Sequence, residues 1–145
     1  MTAQHSSKTN EWYTPPHIIA RVVRVLGSID FDPCGSFAAN TTVGATTFLT
    51  QKQDGLTAPW PGGNIFVNPP GGKIGGKSQA CMFWTRLMRE LELRQLRHAI
   101  FLAFNIEILS TAQNYTHMSP LLFPICVPKR RIRFVGMSEA QSPPH

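Results

Sequence analysis

Apolar positions along the chain alternate between helical and strand periods. Ile18, Ile19, Val22, Val23 and Leu26 recur at three- and four-residue spacing, which predicts a helix with one buried face. Thr14 stands ahead of it as a capping residue. Pro15 takes the first-turn position, where a missing N–H costs little, and Gly27 ends the pattern. Residues 29–32 (Ile-Asp-Phe-Asp) read as a short strand stopped by Pro33. Residues 35–63 are rich in Thr, Ala and Gly, with a strand near 46–49. That span is too short for two full helix–strand units, so this half of the sheet is predicted to be abbreviated. Residues 64–67 form a second strand. Ser78 caps the longest helix, 79–96, whose stripe is Ala80, Trp84, Leu87, Met88 and Leu91, with its Arg and Glu residues mostly elsewhere on its surface. A continuous apolar run at 99–104 is of buried-strand type. A short helix from about 106, a strand at 124–127, and a basic turn at 129–131 leading into a strand at 132–135 complete the pattern.

Strands alternating with helices predict an α/β fold: a compact Rossmann-like sheet, mostly parallel, with helices on both faces. Residues 1–10 are polar and read as a flexible N-terminus, and residues 11–145 as one domain. The closing Ser142-Pro143-Pro144-His145 reads as the lead-in to a further element. A final C-terminal strand is therefore expected to be missing, with 132–135 on a sheet edge.

Composition narrows the class. A hydrophobic share of 42% in 145 residues supports a folded core and excludes wholesale disorder. Fourteen Lys and Arg against eight acids give a net charge of +6, which suits solubility or an anionic partner such as nucleic acid. No apolar run approaches a membrane span, and the N-terminus lacks the apolar region of a signal peptide, so a cytoplasmic protein is expected. Cys34, Cys81 and Cys126 have neither disulfide-framework nor zinc-ligand spacing, and no metal is expected.

The chemistry concentrates at Ile65-Phe66-Val67-Asn68-Pro69-Pro70-Gly71, where an apolar strand enters a stiff corner. Each proline fixes its φ and lacks a donor, and each biases the residue before it toward extended geometry. The corner presents the Asn68 side chain and the Pro69 carbonyl at a strand's C-terminal edge, where α/β sheets bind ligands. Two acceptors there suit the two hydrogens of an exocyclic amine. Residues 71–78 also satisfy Gly-x-x-x-x-Gly-Lys-Ser between a strand and a helix, the context of a phosphate-binding loop. Against that reading, Asn68-Pro69-Pro70 intervenes, and the next strand ends at Asn105 rather than at a magnesium-binding Asp. A glycine-rich lid over the site is the other reading of this segment.

Four segments in order, Glu11-Trp12-Tyr13-Thr14-Pro15, Asp30-Phe31-Asp32-Pro33, Asp54-Gly55-Leu56 and Asn68-Pro69-Pro70, resemble the phage-type, Dam-like DNA N6-adenine methyltransferases. The resemblance spans residues 11–145. It implies methyl transfer from S-adenosylmethionine to adenine N6 in DNA, in the cytoplasm of a bacterial host. Asn68, Pro69 and Pro70 would be catalytic. Trp12, Tyr13, Thr14 and Pro15 would contact the cofactor, and Asp32, Pro33, Cys34 and Gly35 would line its pocket. Asp54 would hold its adenine amine, and Asn40 its ribose. Gly71, Lys129, Arg130, Arg131, Arg133 and Phe134 would meet the nucleic acid. The chain departs from the family at Phe37, which replaces a glycine of the cofactor loop, and at Gly71, which replaces an aromatic expected to stack on the flipped base. Phe134 matches a second aromatic position near that base. A non-catalytic DNA-binding relic of the same fold is the reading of a different class. The oligomeric state is left open.

Overall fold

The computed structural model describes residues 12–136. Four strands, β1 (Phe31–Asp32), β2 (Thr47–Phe48), β3 (Gly63–Val67) and β6 (Leu96–Phe101), form an all-parallel sheet of order β2-β1-β3-β6. Between β3 and β6 lie a two-stranded hairpin, β4 (Lys73–Ile74) and β5 (Lys77–Ser78), and the longest helix, α3 (Gln79–Glu92). The chain thus enters at β1, passes outward to β2, then crosses back to β3 and on to β6. The reversal falls between β1 and β3, so Asp32 and Asn68 leave neighbouring strands on either side of the switch point, where such sheets hold ligands.

Helices cover both faces, as the alternation predicts. On one, Phe66 packs with Ile19, Val22 and Leu26 of α1 (Pro16–Leu26) and with Val43, the last residue of α2 (Phe37–Val43). On the other, Ile65 and Val67 pack with Phe83, Trp84, Leu87 and Met88 of α3, together with Ile108 of α4 (Ile108–Thr111). Ile65, Phe66 and Val67 are fully buried, the mark of a strand covered on both sides. Val23 falls outside the α1 stripe and is 37% exposed. No helix among the described residues is long and apolar enough to cross a membrane.

Several expected boundaries move. Helix α1 begins at Pro16 behind Pro15, and no side chain caps it; the Thr14 hydroxyl is engaged elsewhere. Helix α3 stops at Glu92 rather than 96. Arg94 adopts φ 55°, and the amides of Arg94 and Gln95 turn back to the carbonyls of Leu91 and Glu90. That is a Schellman stop with arginine where glycine is usual, so no residue in the chain announces it. Leu96 is thereby released to begin β6 three residues before the expected strand. Residues 124–127 and 132–135 form no strand. Pro124 and Pro128 bracket the first and remove donors, and its Ile125 and Val127 stay exposed. The second makes one antiparallel bridge, Tyr13 to Val135, with reciprocal N–H···O bonds of 2.9 Å, so the sheet's edge is β6 instead.

One charged pair is interior. Arg86 sits on the α3 face beside the 54–60 loop, bonding Glu90 Oε1 at 2.7 Å and the carbonyls of Leu56 and Ala58 at 2.6 and 2.9 Å. Its guanidinium lies 5.1 Å from the centre of the Trp60 ring, and both charged side chains are largely buried. Removing the guanidinium leaves a shielded carboxylate and two carbonyls unpaired. Arg86→Ala is therefore expected to cost about 3–5 kcal/mol, read as a drop in urea midpoint with an unchanged slope. A loss below about 1 kcal/mol would place the pair in effective contact with solvent.

Candidate active site at the strand ends

Asn68 is carried out of β3 by a strand buried on both faces and halted by Pro69, whose side chain is itself fully buried. Its amide has a fixed orientation. Nδ2 donates to Thr14 Oγ1 at 3.1 Å and, more weakly, to the Trp12 carbonyl at 3.5 Å. Oδ1 is closed to solvent and has no hydrogen-bond partner among the described residues. A buried acceptor left unpaired costs about 1–3 kcal/mol, so it needs a reason. The segment that holds Asn68 is held in turn: Tyr13 bridges Val135, and next to Val135 the buried Phe134 ring packs on Phe104 with centroids 4.9 Å apart. The two ends of the described chain therefore meet over the end of β3. The family resemblance puts Trp12-Tyr13-Thr14 near a cofactor. The contact made in this structure is with Asn68, and no local pattern signals it.

Asp32 ends β1 with 3% of its surface exposed, and Oδ1 accepts the Cys34 amide at 2.8 Å. Burial pushes its carboxyl up to about 7, against the pull of that hydrogen bond. Burial, with the Asp32 charge behind it, also holds the Cys34 thiol well above its usual range. A cation placed beside Asp32 would relieve the cost of ionising it.

The remaining expected cofactor residues serve local structure. Gly35 lies against Phe48, whose Cβ would stand 2.8 Å from an added Cβ, so its small size admits a neighbouring side chain rather than a ligand. Asn40 is bonded at both ends of its amide by the Ala45 backbone, at 3.1 and 2.9 Å, and closes helix α2 against the turn that follows. Asp54 turns its carboxylate onto the Leu56 amide and the Thr57 hydroxyl, both at 3.0 Å, at φ 54°. Gly55 beside it touches the Pro33 carbonyl where any side chain would collide, so the 54–60 loop packs directly on the turn after β1.

Four of the expected nucleic-acid residues, Gly71, Arg130, Arg131 and Phe134, border two cavities. One, of about 400 Å³, is lined by Trp12, Phe104 and Phe134 with Arg130 and Arg131. The other, of about 470 Å³, is lined by Pro70, Gly71, Lys73, Ser78 and Glu107. Phe104 and Asn105, just past β6, border both, so Gly71 and Phe134 face different spaces. Lys129, Arg130, Arg131 and Arg133 are exposed and make no ion pair among the described residues. The glycine-rich segment is built as a hairpin rather than a phosphate cradle. Lys73 pairs with Ser78 and Ile74 with Lys77 across a Gly75-Gly76 turn at φ 55° and 78°, a two-residue hairpin. Its backbone is spent on pairing rather than directed at a common anion.

Among the described residues, no three His, Cys, Asp or Glu side chains are grouped to hold a metal ion. Comparison with family models, with curated proteins and with solved structures finds no match.

Asp32 gives a pH signature of definite sign. Its carboxyl titrates near 7 in the fold and near 3.8 when free, so between those values the folded state holds a proton that the unfolded state has lost. Its contribution is intact below pH 4, falls as pH rises to 7, and is flat above. The total is on the order of 4 kcal/mol. Asp32→Asn should remove this slope and melt higher than the parent at pH 8. Parallel melting curves for the two proteins from pH 4 to 8 would contradict the buried-carboxyl account. Gly71 has an ordinary φ and open space around it, so Gly71→Ala should change stability by less than about 0.5 kcal/mol. Gly35→Ala, pressed on Phe48, should cost more than that in the same urea titration.

Proposed function

We propose that this chain is a DNA adenine N6-methyltransferase of phage or prophage type, acting in a bacterial cytoplasm with S-adenosylmethionine as methyl donor. The observation that carries the reading is Asn68 Oδ1, buried beside Pro69 at the end of a central parallel strand and without a hydrogen-bond partner among the described residues. A polar atom kept unpaired at a ligand-binding edge is suited to a donor brought by a substrate. The two N–H groups of an exocyclic amine would satisfy Oδ1 and the Pro69 carbonyl together. Because Oδ1 is closed to solvent, admitting the amine requires its cover to open.

The amine nitrogen of adenine is a weak nucleophile, since its lone pair is delocalised into the ring. Two acceptors that hold its hydrogens favour the pyramidal form and stabilise the positive charge that grows on nitrogen. Thr14 contributes by fixing the amide: with Nδ2 committed to its hydroxyl, Oδ1 is the end turned toward substrate. S-adenosylmethionine, when bound, supplies a methyl group on a cationic sulfonium. Asp32, with Tyr13, would hold it at the neighbouring strand end. The rest of the rate derives from alignment, and the proton shed afterwards needs no strong base. The exposed cations of 129–133 suit contacts with the phosphate backbone, which would make binding fall steeply with salt.

A second reading, a DNA-binding protein of this fold without transfer chemistry, draws on the local engagement of Asn40 and Asp54. Calorimetric titration with S-adenosylhomocysteine, with ATP and magnesium alongside, separates the two. The methyltransferase reading expects the first to bind and the second not to, with affinity rising through pH 7 as Asp32 ionises beside the α-ammonium group that the homocysteine product keeps. Absence of S-adenosylhomocysteine binding, with DNA affinity retained, selects the second reading. Asn68→Ala should abolish methylation of adenine-containing DNA yet still bind S-adenosylhomocysteine; normal turnover by that variant removes Asn68 from the mechanism. Thr14→Val should lower kcat by up to about a hundredfold with little change in KM, because it frees the amide to rotate.

A further inference from the structure

We propose that the β4–β5 hairpin is an arm that enters duplex DNA, with Ile74 as a wedge in a base step and Lys73 and Lys77 on the flanking phosphates. The inference rests on the reading above for the identity of its partner. A single exposed isoleucine is ordinary on a protein surface, but this one has a specific setting. Ile74 is 53% exposed near the hairpin's tip, away from both core clusters. The register puts it directly opposite Lys77, so an apolar group and a cation share one face. Lys73 and Ser78 share the other face and line the cavity beside Pro70 and Gly71. No acidic residue occurs in 71–78, and neither lysine makes an ion pair among the described residues. The arm is basic on both faces.

Its mechanics also suit insertion. The base is fixed: the Gln79 side chain donates to the Gly71 carbonyl at 2.8 Å, and the Gln79 amide donates to the Gly72 carbonyl at 3.1 Å. The tip is thin, because Gly75 and Gly76 carry no side chains and meet no neighbouring atoms. Ile74 lies six residues after Asn68, no more than about 20 Å even at full extension. That is about six base-pair rises at most, close enough to act beside a base drawn toward Asn68. Adenine N6 cannot be reached within the stack without extruding the base. An apolar wedge lowers that cost by unstacking the step. A loop that merely covered the site would gain nothing from an outward isoleucine.

The test uses the full chain and a duplex with 2-aminopurine next to a central adenine, whose fluorescence rises on unstacking. The parent protein should raise it several-fold. Ile74→Ala should return it near the free-duplex level, and Ile74→Met, which keeps an apolar wedge, should restore it. Exchanging Lys73 and Lys77 for alanine should lower the log–log salt dependence of duplex binding by about one for each lysine. Duplex methylation should fall about tenfold or more in Ile74→Ala, since unstacking costs a few kcal/mol, while methylation of single-stranded adenine is unchanged. A parent protein that leaves the fluorescence flat, or an Ile74→Ala variant that raises it equally, overturns the arm. The two readings fail separately. Methylation with no wedge effect sinks only the hairpin proposal, and a wedge effect without methylation on any substrate sinks only the enzyme.

Discussion

The bond from Asn68 Nδ2 to Thr14 Oγ1 is the contact on which the arrangement at the strand ends depends. A carboxamide has a donor end and an acceptor end, and without a fixed partner it presents either. Once a hydroxyl from a distant segment takes the donor end, the acceptor is set, buried and unpaired among the described residues. Thr14 holds that place because Tyr13 is bridged to Val135, and Phe134 is packed on Phe104 next to it. Residues more than a hundred positions apart thus meet to hold the segment that fixes this amide. Such a convergence costs chain entropy and must be offset by packing. The buried Phe134 ring and the reciprocal backbone bonds are what the structure offers for it.

The sheet supplies the rigid ground beneath. Asn68 follows a strand whose three central side chains are fully buried, one toward α1 and two toward α3. Displacing that strand end would disturb both layers at once. Asp32 leaves the adjacent strand, and burial leaves its carboxyl poised between charged and neutral near pH 7. Arg86 does comparable work for the 54–60 loop, which rests on the turn after β1 through Gly55. The loop's position is therefore set by a cation on α3 rather than by its own turn residues.

The cofactor half of the resemblance is the thinner one in three dimensions. Gly35, Asn40 and Asp54 have local duties in packing, closing a helix and making a turn. Local use of a side chain is compatible with a second role only where atoms remain free to play it. Asp32 keeps that freedom in its ionisation, and Asn68 keeps it in an unpaired oxygen. The most direct physical support for the proposed chemistry therefore lies at β1 and β3.

Much of the fold was legible from local pattern, because burial on two faces leaves an apolar run and burial on one leaves a stripe. The strands around Phe31, Thr47 and Ile65, the helices at 16–26 and 79–92, and their stacking into a parallel sheet follow from that rule. So does Asn68 at a stiff strand end, since two prolines act on the backbone without tertiary help. The misread segments are those where a long-range partner decides. Arg94 stops α3 in a conformation arginine does not advertise, and residues 124–135 have strand-like composition but only one bridge. The glycine-lysine pattern at 71–78 matched a phosphate loop, yet pairing across Gly75-Gly76 satisfies the backbone instead. Local pattern alone specifies the layers, the C-terminal ends of β1 and β3, and the residue types available there. Which amide end of Asn68 is free, the burial that brings Asp32 near neutrality, and the interior place of Arg86 come from the assembled fold. Each depends on atoms brought from far along the chain, and their approach leaves no periodic trace in the sequence.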